Sequence, residues 1–279
     1  MILIADSGST KAEFRLLGTD AEEKIFILPG INPFYQSETE IRELINNDLY
    51  SDLTEYNIRK IYFYGAGCAF PEKKKIVENA LLYSFPQADI FVDSDLLAAS
   101  RALFGANKGI ACILGTGSNS CFYNGKEIEK NVSPLGFILG DEGSGAVLGR
   151  KFIADCLKNQ LPVSLQKKFF SQYNTSPSEI MDKVYRQPFP NRYLASLSPF
   201  LLENMGEKSI CRIVTESFTD FFERNIKQYS ITDEKLRFIG SIAYYFQKTL
   251  REVAEKNGYQ IDKIEKNPME GLIQFHRND

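Results

Sequence analysis

Two short segments of the chain combine glycine with hydroxyl side chains directly after an apolar run. The first starts at Asp6 and ends at Lys11, and the second starts at Gly115. Glycine lets backbone N–H groups converge on an anion with no Cβ in the way, and hydroxyl and ammonium groups add donors for phosphate oxygens. We therefore predict phosphate binding by Ser7, Gly8, Ser9, Thr10, Lys11, Gly115, Thr116, Gly117, Ser118 and Asn119.

Each of these segments, taken alone, has an ordinary alternative as a polar turn between two strands. Neither contains the Walker pattern G-x-x-x-x-G-K-[ST] or the dinucleotide pattern G-x-G-x-x-G. The pair is more informative than either member, because a polyphosphate held from two sides needs two such loops.

Several carboxylates stand next to apolar runs or within glycine-rich segments. Asp6 ends the first apolar run and could bind Mg²⁺ directly or through water, since hard cations prefer carboxylate oxygen. Asp93 and Asp95 follow the apolar residues 90–92, and Asp141 lies in the run G-D-E-G-S-G. The alternative for the last three is N-capping of the helices that follow them.

Composition limits the function classes that these residues could serve. The chain has 279 residues, about twice an average domain, and 33 basic against 36 acidic residues give a net charge of −3. That balance argues against a nucleic-acid or polybasic membrane partner, both of which need a positive surface. The content of apolar residues, 43%, rules out wholesale disorder.

Histidine and cysteine usage narrows the chemistry further. The chain has a single histidine, His276, so a site built on several imidazoles is excluded. We expect His276 to be a tail residue. The five cysteines are far apart and form no C-x-x-C pair, which favours a reducing cytosol over a disulfide framework. The first apolar run is too short for a signal peptide, and no 18-residue apolar stretch occurs. We expect a soluble, cytoplasmic protein.

The elements that must position these residues form a pattern that starts twice. In the first half we predict strands at residues 1–5, 11–17, 23–28, 61–64 and 90–92, helices at about 38–53 and 72–83, and a helix that follows residues 93–95 and ends at about 104. In the second half we predict strands at 110–114, 119–123, 134–139 and 236–239, helices starting at 142, 210 and 241, and a helical insertion at about 150–235. We therefore expect an α/β fold of two domains, 1–107 and 108–279, with a cleft between them.

In their order along the chain, these segments resemble the superfamily of actin, sugar kinases and heat-shock chaperones. Within it, the chain is most similar to the N-acetylglucosamine kinases of the BadF/BadG/BcrA/BcrD ATPase family. The resemblance implies two ribonuclease-H-like (actin-like ATPase) domains. It rests on Asp6 to Lys11, Gly30 to Pro33, Asp95, Gly115 to Asn119, Gly140 to Gly145, Gly240 to Ala243 and Pro268 to Leu272.

The resemblance also implies an activity and roles for single residues. It implies transfer of the γ-phosphate of ATP, with Mg²⁺, to the 6-hydroxyl of N-acetylglucosamine, a small-molecule amino sugar. Asp95 would accept the hydroxyl proton, since the family's spacing to the Gly115 segment favours it. Asp93 stays as the alternative, because that spacing fits Asp95 only with a one-residue gap. Gly240 and Ser241 would contact adenosine, and relatives are often homodimers. The residues implied to bind sugar are Asn32, Gly65, Asp95, Thr116 and Asp141, with a plain turn as the alternative for Asn32.

Two departures from the family pattern keep other hypotheses open. The chain has no tryptophan, so sugar stacking before G-D-E-G would fall to Phe137 or be absent. The first segment, D-S-G-S-T-K, is close to that of ATPase activators of 2-hydroxyacyl-CoA dehydratases, which hold an iron–sulfur cluster between subunits. A non-catalytic nucleotide or sugar sensor is a third hypothesis. A kinase with a structural zinc is disfavoured because one histidine and scattered cysteines cannot build that site.

Overall fold

The computed structural model describes residues 1–8, 10–18, 23–229 and 234–277, and the chain divides into two units. The first unit runs from Met1 to Gly105 and also takes the C-terminal segment that begins at Pro268. The second unit runs from Ala106 to Asn267. The division after Gly105 lies close to the predicted boundary at 107, but the segment from Pro268 on, which we placed in the second domain, belongs to the first unit.

Strands and helices of the described residues alternate in the order expected for an α/β protein. The strands are β1 Ile2–Ser7, β2 Lys11–Leu17, β3 Glu23–Pro29, β4 Lys60–Gly65, β5 Asp89–Ser94, β6 Gly109–Leu114, β7 Ser118–Tyr123, β8 Ile128–Val132, β9 Leu236–Ile239 and β10 Ile261–Glu265. The helices of the first half are α1 Glu38–Asp48, α2 Pro71–Ser84 and α3 Asp95–Phe104. Those that follow are α4 Gly136–Leu139, α5 Gly145–Leu157, α6 Val163–Tyr173, α7 Pro177–Tyr185, α8 Pro190–Ala195, α9 Ser198–Glu203, α10 Lys208–Arg224, α11 Ser241–Tyr245, α12 Gln247–Lys256 and α13 Met269–His276.

The first unit is built on a five-stranded sheet of the order β3-β2-β1-β4-β5. β1, β2 and β3 form an antiparallel meander, and β4 and β5 run parallel to β1. Strand β2 shows why the sequence folds this way, since Ala12, Phe14 and Leu16 alternate with less buried charged residues. Phe14 and Phe63 pack together in the core of this unit, with their ring centroids 6.2 Å apart.

The second unit repeats this arrangement, with the order β10-β9-β6-β7-β8. Its core includes one face of α10, where Ile210, Val214, Phe218 and Phe221 are buried at helical spacing. Helices α4 to α10 lie in sequence between β8 and β9. The fold class predicted from the sequence, α/β in two units, is confirmed.

The predicted strand at residues 134–139 is wrong. The third strand of the second sheet is Ile128–Val132, and Gly136–Leu139 is a short helix that follows Leu135 in the left-handed region, at φ 60°. Residues 129–131 of this strand are polar and exposed, as an edge strand allows, so the apolar pattern drew the prediction to the wrong segment.

Within the described ranges, no helix combines the length and apolar character needed to cross a lipid bilayer.

Candidate functional site

In the first unit, the predicted acidic residues lie at one edge of the sheet. β1, β4 and β5 are parallel, so their carboxyl ends meet at the same edge, where open α/β sheets bind ligands. Asp6 of β1 is in register with Tyr64 of β4, and Tyr64 is in register with Asp93 of β5. Asp95 is the first residue of α3, directly after β5. The structure therefore brings Asp6 and Asp95 to the same edge.

Asp93, Ser94 and Asp95, at the end of β5 and the start of α3, have separate roles. Ser94 is the N-cap of α3, because its Oγ accepts a hydrogen bond from the N–H of Leu97 at 3.2 Å. Asp93 forms a salt bridge with Nζ of Lys74 at 2.5 Å and accepts a hydrogen bond from the N–H of Ser94 at 2.7 Å. The capping alternative thus falls to Ser94, and the charge of Asp93 is compensated by Lys74.

The carboxyl groups of Asp6 and Asp95 both have raised pKa values. Burial raises the pKa of Asp95 to about 6, and the backbone N–H groups of Leu96 and of Asp95 itself oppose this only in part. Burial raises the pKa of Asp6 to about 7, with a further increase from the negative charges of Asp95 and Glu13, while Lys11 acts in the opposite direction. A carboxylate with such a pKa is suited to accept a proton near neutral pH.

The first predicted phosphate segment forms a tight turn. The N–H of Gly8 donates to the carbonyl of Lys11 at 3.0 Å, and Nζ of Lys11 contacts Glu13 at 2.9 Å. The hydroxyl of Ser7 donates its only proton to the carbonyl of Ile31 at 2.9 Å and accepts from the N–H of Ile31 at 2.8 Å. Ser7 is fully buried, so the predicted donation from its hydroxyl to phosphate does not fit this structure. Ser9 lies outside the described residues.

The predicted sugar-side residues of the first unit form a turn. Oδ1 of Asn32 accepts a hydrogen bond from the N–H of Phe34 at 2.9 Å, as the turn alternative for Asn32 requires. Gly67 has a φ of +84°, and a Cβ placed on it would lie 2.4 Å from Oδ1 of Asn32. A Cβ on Gly65 would lie 2.7 Å from the ring of Phe63, so packing inside the unit by itself requires this glycine.

In the second unit, the predicted phosphate segment is attached to the start of α5. The N–H of Gly145 donates to the carbonyl of Gly115 at 2.8 Å, and the N–H of Ala146 donates to the carbonyl of Thr116 at 3.1 Å. The segment closes on itself through the N–H of Gly115 and the carbonyl of Gly117, which are 2.9 Å apart. The positive end of the α5 dipole thus lies beside it, which favours an anion. Oδ1 of Asn119 accepts from the N–H of Ser120 at 2.9 Å.

Asp141 contacts this same segment. Its Oδ1 accepts a hydrogen bond from the N–H of Ser118 at 3.2 Å, and a Cβ placed on Gly117 would lie 3.2 Å from its Oδ2. Burial raises the pKa of Asp141 to about 6, the N–H of Ser118 lowers it, and the charge of Glu142 raises it. Its backbone lies in the left-handed region, at φ 53°, where strain is often found at functional sites.

The helix predicted to start at 142 begins instead at Gly145. Its N-cap is Ser144, whose Oγ accepts from the N–H of Val147 at 3.2 Å, so Asp141 is not the cap. Phe137, the alternative for sugar stacking, packs in part against the core of the second unit.

Gly240, predicted to contact adenosine, lies against the end of β6. Its φ is +118°, and a Cβ placed on it would lie 2.3 Å from the carbonyl oxygen of Leu114. Ser241 is exposed at the first position of α11. The second unit therefore brings Gly240, Asp141 and the segment from Gly115 to Ser118 close together.

One cluster beside Asp6 was missed by the sequence reasoning. His276 is not a tail residue, because only 1% of it is exposed and its Nε2 lies 2.8 Å from the hydroxyl of Tyr64. Arg101 donates to the same hydroxyl at 2.6 Å. The signal that could have found the cluster is the pair Tyr62 and Tyr64, two hydroxyl-bearing rings on one face of β4.

Comparison with known proteins gives one close likeness and several remote ones. The chain is 46% identical to a candidate N-acetylglucosamine kinase from Porphyromonas gingivalis, with a TM-score of 0.96 over 100% of this chain and 99% of that one. A candidate N-acetylglucosamine kinase from Chromobacterium violaceum is 14% identical, with a TM-score of 0.72 over 98% of both chains. A ROK family glucokinase from Streptomyces griseus, in complex with glucose and AMPPNP, is 14% identical, with a TM-score of 0.55 over 98% of this chain and 97% of that one.

No protein-family model matches the chain, and no curated protein matches it. The two remote likenesses bear on the fold alone. Together with the close one, they confirm the predicted fold of two actin-like ATPase domains.

Proposed function

The chain belongs to the N-acetylglucosamine kinase family of the actin-like ATPase superfamily, and from this premise we propose that it transfers the γ-phosphoryl group of ATP to an amino sugar. The proposed substrate is N-acetylglucosamine, and the proposed acceptor is its 6-hydroxyl group. The products are ADP and the sugar 6-phosphate.

The observation that carries this proposal is the position of the Asp95 carboxyl group together with its raised pKa. Its carboxyl group lies at the carboxyl-terminal edge of a parallel sheet, on the first turn of a helix capped by its neighbour Ser94. Its pKa of about 6 keeps it mostly ionised at neutral pH and still able to take a proton. Asp93, the alternative base, is occupied by Lys74 and is therefore the poorer acceptor.

The chemical step follows from this placement. As the sugar oxygen forms a bond to the γ-phosphorus and the bond from that phosphorus to the ADP oxygen breaks, the hydroxyl proton passes to a carboxylate oxygen of Asp95. The backbone N–H groups of Thr116 and Gly117, beside the positive end of the α5 dipole, would hold phosphate oxygens. Asp141, which contacts this segment through the N–H of Ser118, would accept hydrogen bonds from sugar hydroxyls.

The remaining binding residues keep the roles that their surroundings permit. Gly8, Thr10 and Lys11 would contact phosphate from their turn. Ser7 would support this turn through its hydrogen bonds with Ile31. The role of Ser9 stays a prediction. Gly240 and Ser241 would contact adenosine, where the missing Cβ leaves room for a flat ring. Asn32 and Gly65 would form the wall on the sugar side.

The proposed metal is Mg²⁺, held by Asp6 directly or through water. Among the described residues, no group of three or more histidine, cysteine, aspartate or glutamate side chains could hold a metal ion. A single carboxylate such as that of Asp6 fits Mg²⁺, which is usually held by one or two carboxylates together with phosphate oxygens and water. Burial and the negative charges of Asp95 and Glu13 raise the pKa of Asp6, and a bound cation would stabilise its ionised form. When bound, Mg²⁺ neutralises charge on the phosphates.

The alternative as a dehydratase activator has less support. Cys68, Cys112, Cys121 and Cys156 are all buried inside the units, where their thiols could not ligate a cluster shared with another subunit. A cytoplasmic location stays a prediction from the scattered cysteines of the sequence. A homodimer stays a prediction.

The test is a panel of sugars scored for Mg²⁺-dependent formation of ADP. N-Acetylglucosamine should stimulate ADP formation more than glucosamine or N-acetylmuramic acid, and mass spectrometry of the sugar product should give its phosphate. ATP turnover that no sugar accelerates would overturn the proposal in favour of a sensor or another ATPase.

The matched pair Asp95→Asn and Asp93→Asn tests the base. Asp95→Asn should lower kcat by on the order of 10²- to 10⁴-fold, because the proton acceptor is lost. Asp93→Asn removes an equal charge two residues away and should retain most of the activity. The reverse ranking of the two variants would assign the base to Asp93.

A further inference from the structure

The C-terminal helix α13 packs directly against α3, the helix that carries Asp95. A Cβ placed on Gly271 of α13 would lie 2.4 Å from the carbonyl oxygen and 2.7 Å from the Cα of Ala102 in α3. Only glycine allows this approach of one backbone to the other. The segment from Pro268 to Leu272, which the proposed chemistry does not use, therefore sets how closely α13 approaches α3.

A chain of hydrogen bonds ties these two helices to β4. Arg101 of α3 donates through Nη1 to the hydroxyl oxygen of Tyr64 at 2.6 Å, and that hydroxyl lies 2.8 Å from Nε2 of His276 in α13. A guanidinium group can only donate, so the hydroxyl of Tyr64 has its own proton left to donate to Nε2. Donation in this direction requires His276 to be a neutral imidazole with its proton on Nδ1.

His276 and Arg101 also pack against aromatic rings. The ring of His276 stacks on Tyr62 with centroids 3.7 Å apart and planes inclined by 19°. The guanidinium carbon of Arg101 lies 5.0 Å from the ring centroid of Phe91 in β5 and 5.0 Å from that of Phe275 in α13. Four elements of the first unit (β4, β5, α3 and α13) thus meet at Arg101 and Tyr64.

This cluster lies next to the reacting groups proposed above. Tyr64 is the residue of β4 in register with Asp6, and Arg101 is six residues, less than two turns of helix, from Asp95. Resting on the proposed function, we propose that Tyr64, Arg101 and His276 are positioning residues. They hold α3 against β4, so that the carboxyl group of Asp95 keeps its place relative to that of Asp6.

The kinetic test uses Tyr64→Phe, which keeps the ring and removes the hydroxyl. We expect kcat to fall by on the order of 10- to 100-fold, with the KM for ATP and for sugar changed by less than about twofold, because a misplaced base slows chemistry and leaves binding intact. His276→Gln, whose carbonyl oxygen can accept from Tyr64, should restore most of kcat relative to His276→Leu, which cannot accept.

A control separates positioning from general loss of stability. Tyr229→Phe removes a hydroxyl that is 2.7 Å from Oγ of Ser120 in the second unit, and it should lower stability to a similar extent without lowering kcat. Equal kcat for wild type and Tyr64→Phe, or a fall in kcat that is the same for Tyr229→Phe, would overturn the positioning role.

A second readout does not depend on activity, because His276 is the single histidine. In ¹⁵N NMR spectra of the wild-type protein at pH 8, its two ring nitrogens should show protonated Nδ1 and unprotonated Nε2. In Tyr64→Phe, the signals should move toward the Nε2-protonated tautomer. An Nε2-protonated ring in the wild type would contradict donation from Tyr64 to His276, whereas wild-type protein without sugar-stimulated turnover but with the expected tautomer would contradict only the proposed function.

Discussion

The two units share one strand order and differ in what stands at equivalent strand ends. In the first unit, an acidic residue, Asp6, stands one residue before the end of β1, and a second carboxylate, Asp95, is the first residue of the helix after β5. In the second unit, β6 is followed by Gly115, and the carboxylate near it, Asp141, comes from the segment after β8 and contacts the glycine-rich turn. One strand order, used twice, thus carries two carboxylates at the strand ends of the first unit and a glycine-rich turn with a single carboxylate beside it in the second.

The units also differ in the helix that follows their last strand. After β5, the chain continues into α3 and stays in the first unit, whereas after β10 it continues into α13, which packs against α3 and not within the second unit. The two units also carry different amounts of chain between their third and fourth strands. This segment holds α1 and the 3₁₀ helix Tyr50–Asp52 in the first unit, and α4 to α10 and the 3₁₀ helix Ile226–Tyr229 in the second. The first unit therefore depends on the C-terminus for its packing.

The largest effect is expected from a pair of glycines, one in each unit. Gly240→Ala and Gly271→Ala would each place a Cβ within about 2.5 Å of a carbonyl oxygen, and each should lower the free energy of unfolding by about 2–3 kcal/mol. Gly240→Ala should be the worse of the two, since its φ is +118°. Chemical denaturation followed by circular dichroism measures both, with Gly206→Ala, which has open space, as the control.

The same pair sharpens the functional contrast between the units. Gly271→Ala should lower kcat through α3 and Asp95, and Gly240→Ala should raise the KM for ATP. If both variants changed the same kinetic constant, the division of roles would be wrong.

A smaller effect is expected on stability when Asp6 is neutralised. A folded-state pKa raised from 3.8 to about 7 means that the ionised group costs stability above pH 7 and costs nothing below its unfolded value. Asp6→Asn should therefore raise the free energy of unfolding of the ligand-free protein at pH 8, by on the order of 1–3 kcal/mol, while lowering activity.

Two comparisons test the origin of that gain. It should shrink to less than about 1 kcal/mol in unfolding measurements at pH 4, close to the unfolded pKa of 3.8. Asp141→Asn in the second unit should gain less, because the pKa of Asp141 is raised only to about 6 and its carboxylate accepts a hydrogen bond from the turn. A larger gain from Asp141→Asn would show that burial costs more in the second unit.

The smallest effect is expected from pH. Since Asp95 must be ionised to accept the proton, kcat/KM should fall about tenfold for each pH unit below about 6 and level off above it. Initial rates with saturating Mg²⁺ measure this profile. Asp93→Asn should leave the midpoint unchanged, and a midpoint near 4 in the wild type would mean that the base is less buried than the structure indicates.

Much of the fold could be predicted because its signals are local. The alternation in β2 and the buried stripe of α10 fix those elements within one or two residues. The charged edge strand Ile128–Val132 could not be found in this way, because its place is set by pairing with β7 rather than by its own apolar pattern. The start of α5 was missed by three residues, since several residues from Asp141 to Ser144 could serve as a cap and only the backbone geometry selects Ser144.

By itself, the sequence determined the two glycine-rich turns, the acidic residues beside them and the repeated order of strands, since each depends on residue type and short-range spacing. Only the tertiary structure decided that Lys74 compensates the charge of Asp93, that the proton of Ser7 is donated to the carbonyl of Ile31, and that His276 is a buried part of the first unit. The physical reason is that burial and hydrogen-bond partners are set by residues far apart in the chain, and these determine where a proton or a charge can reside.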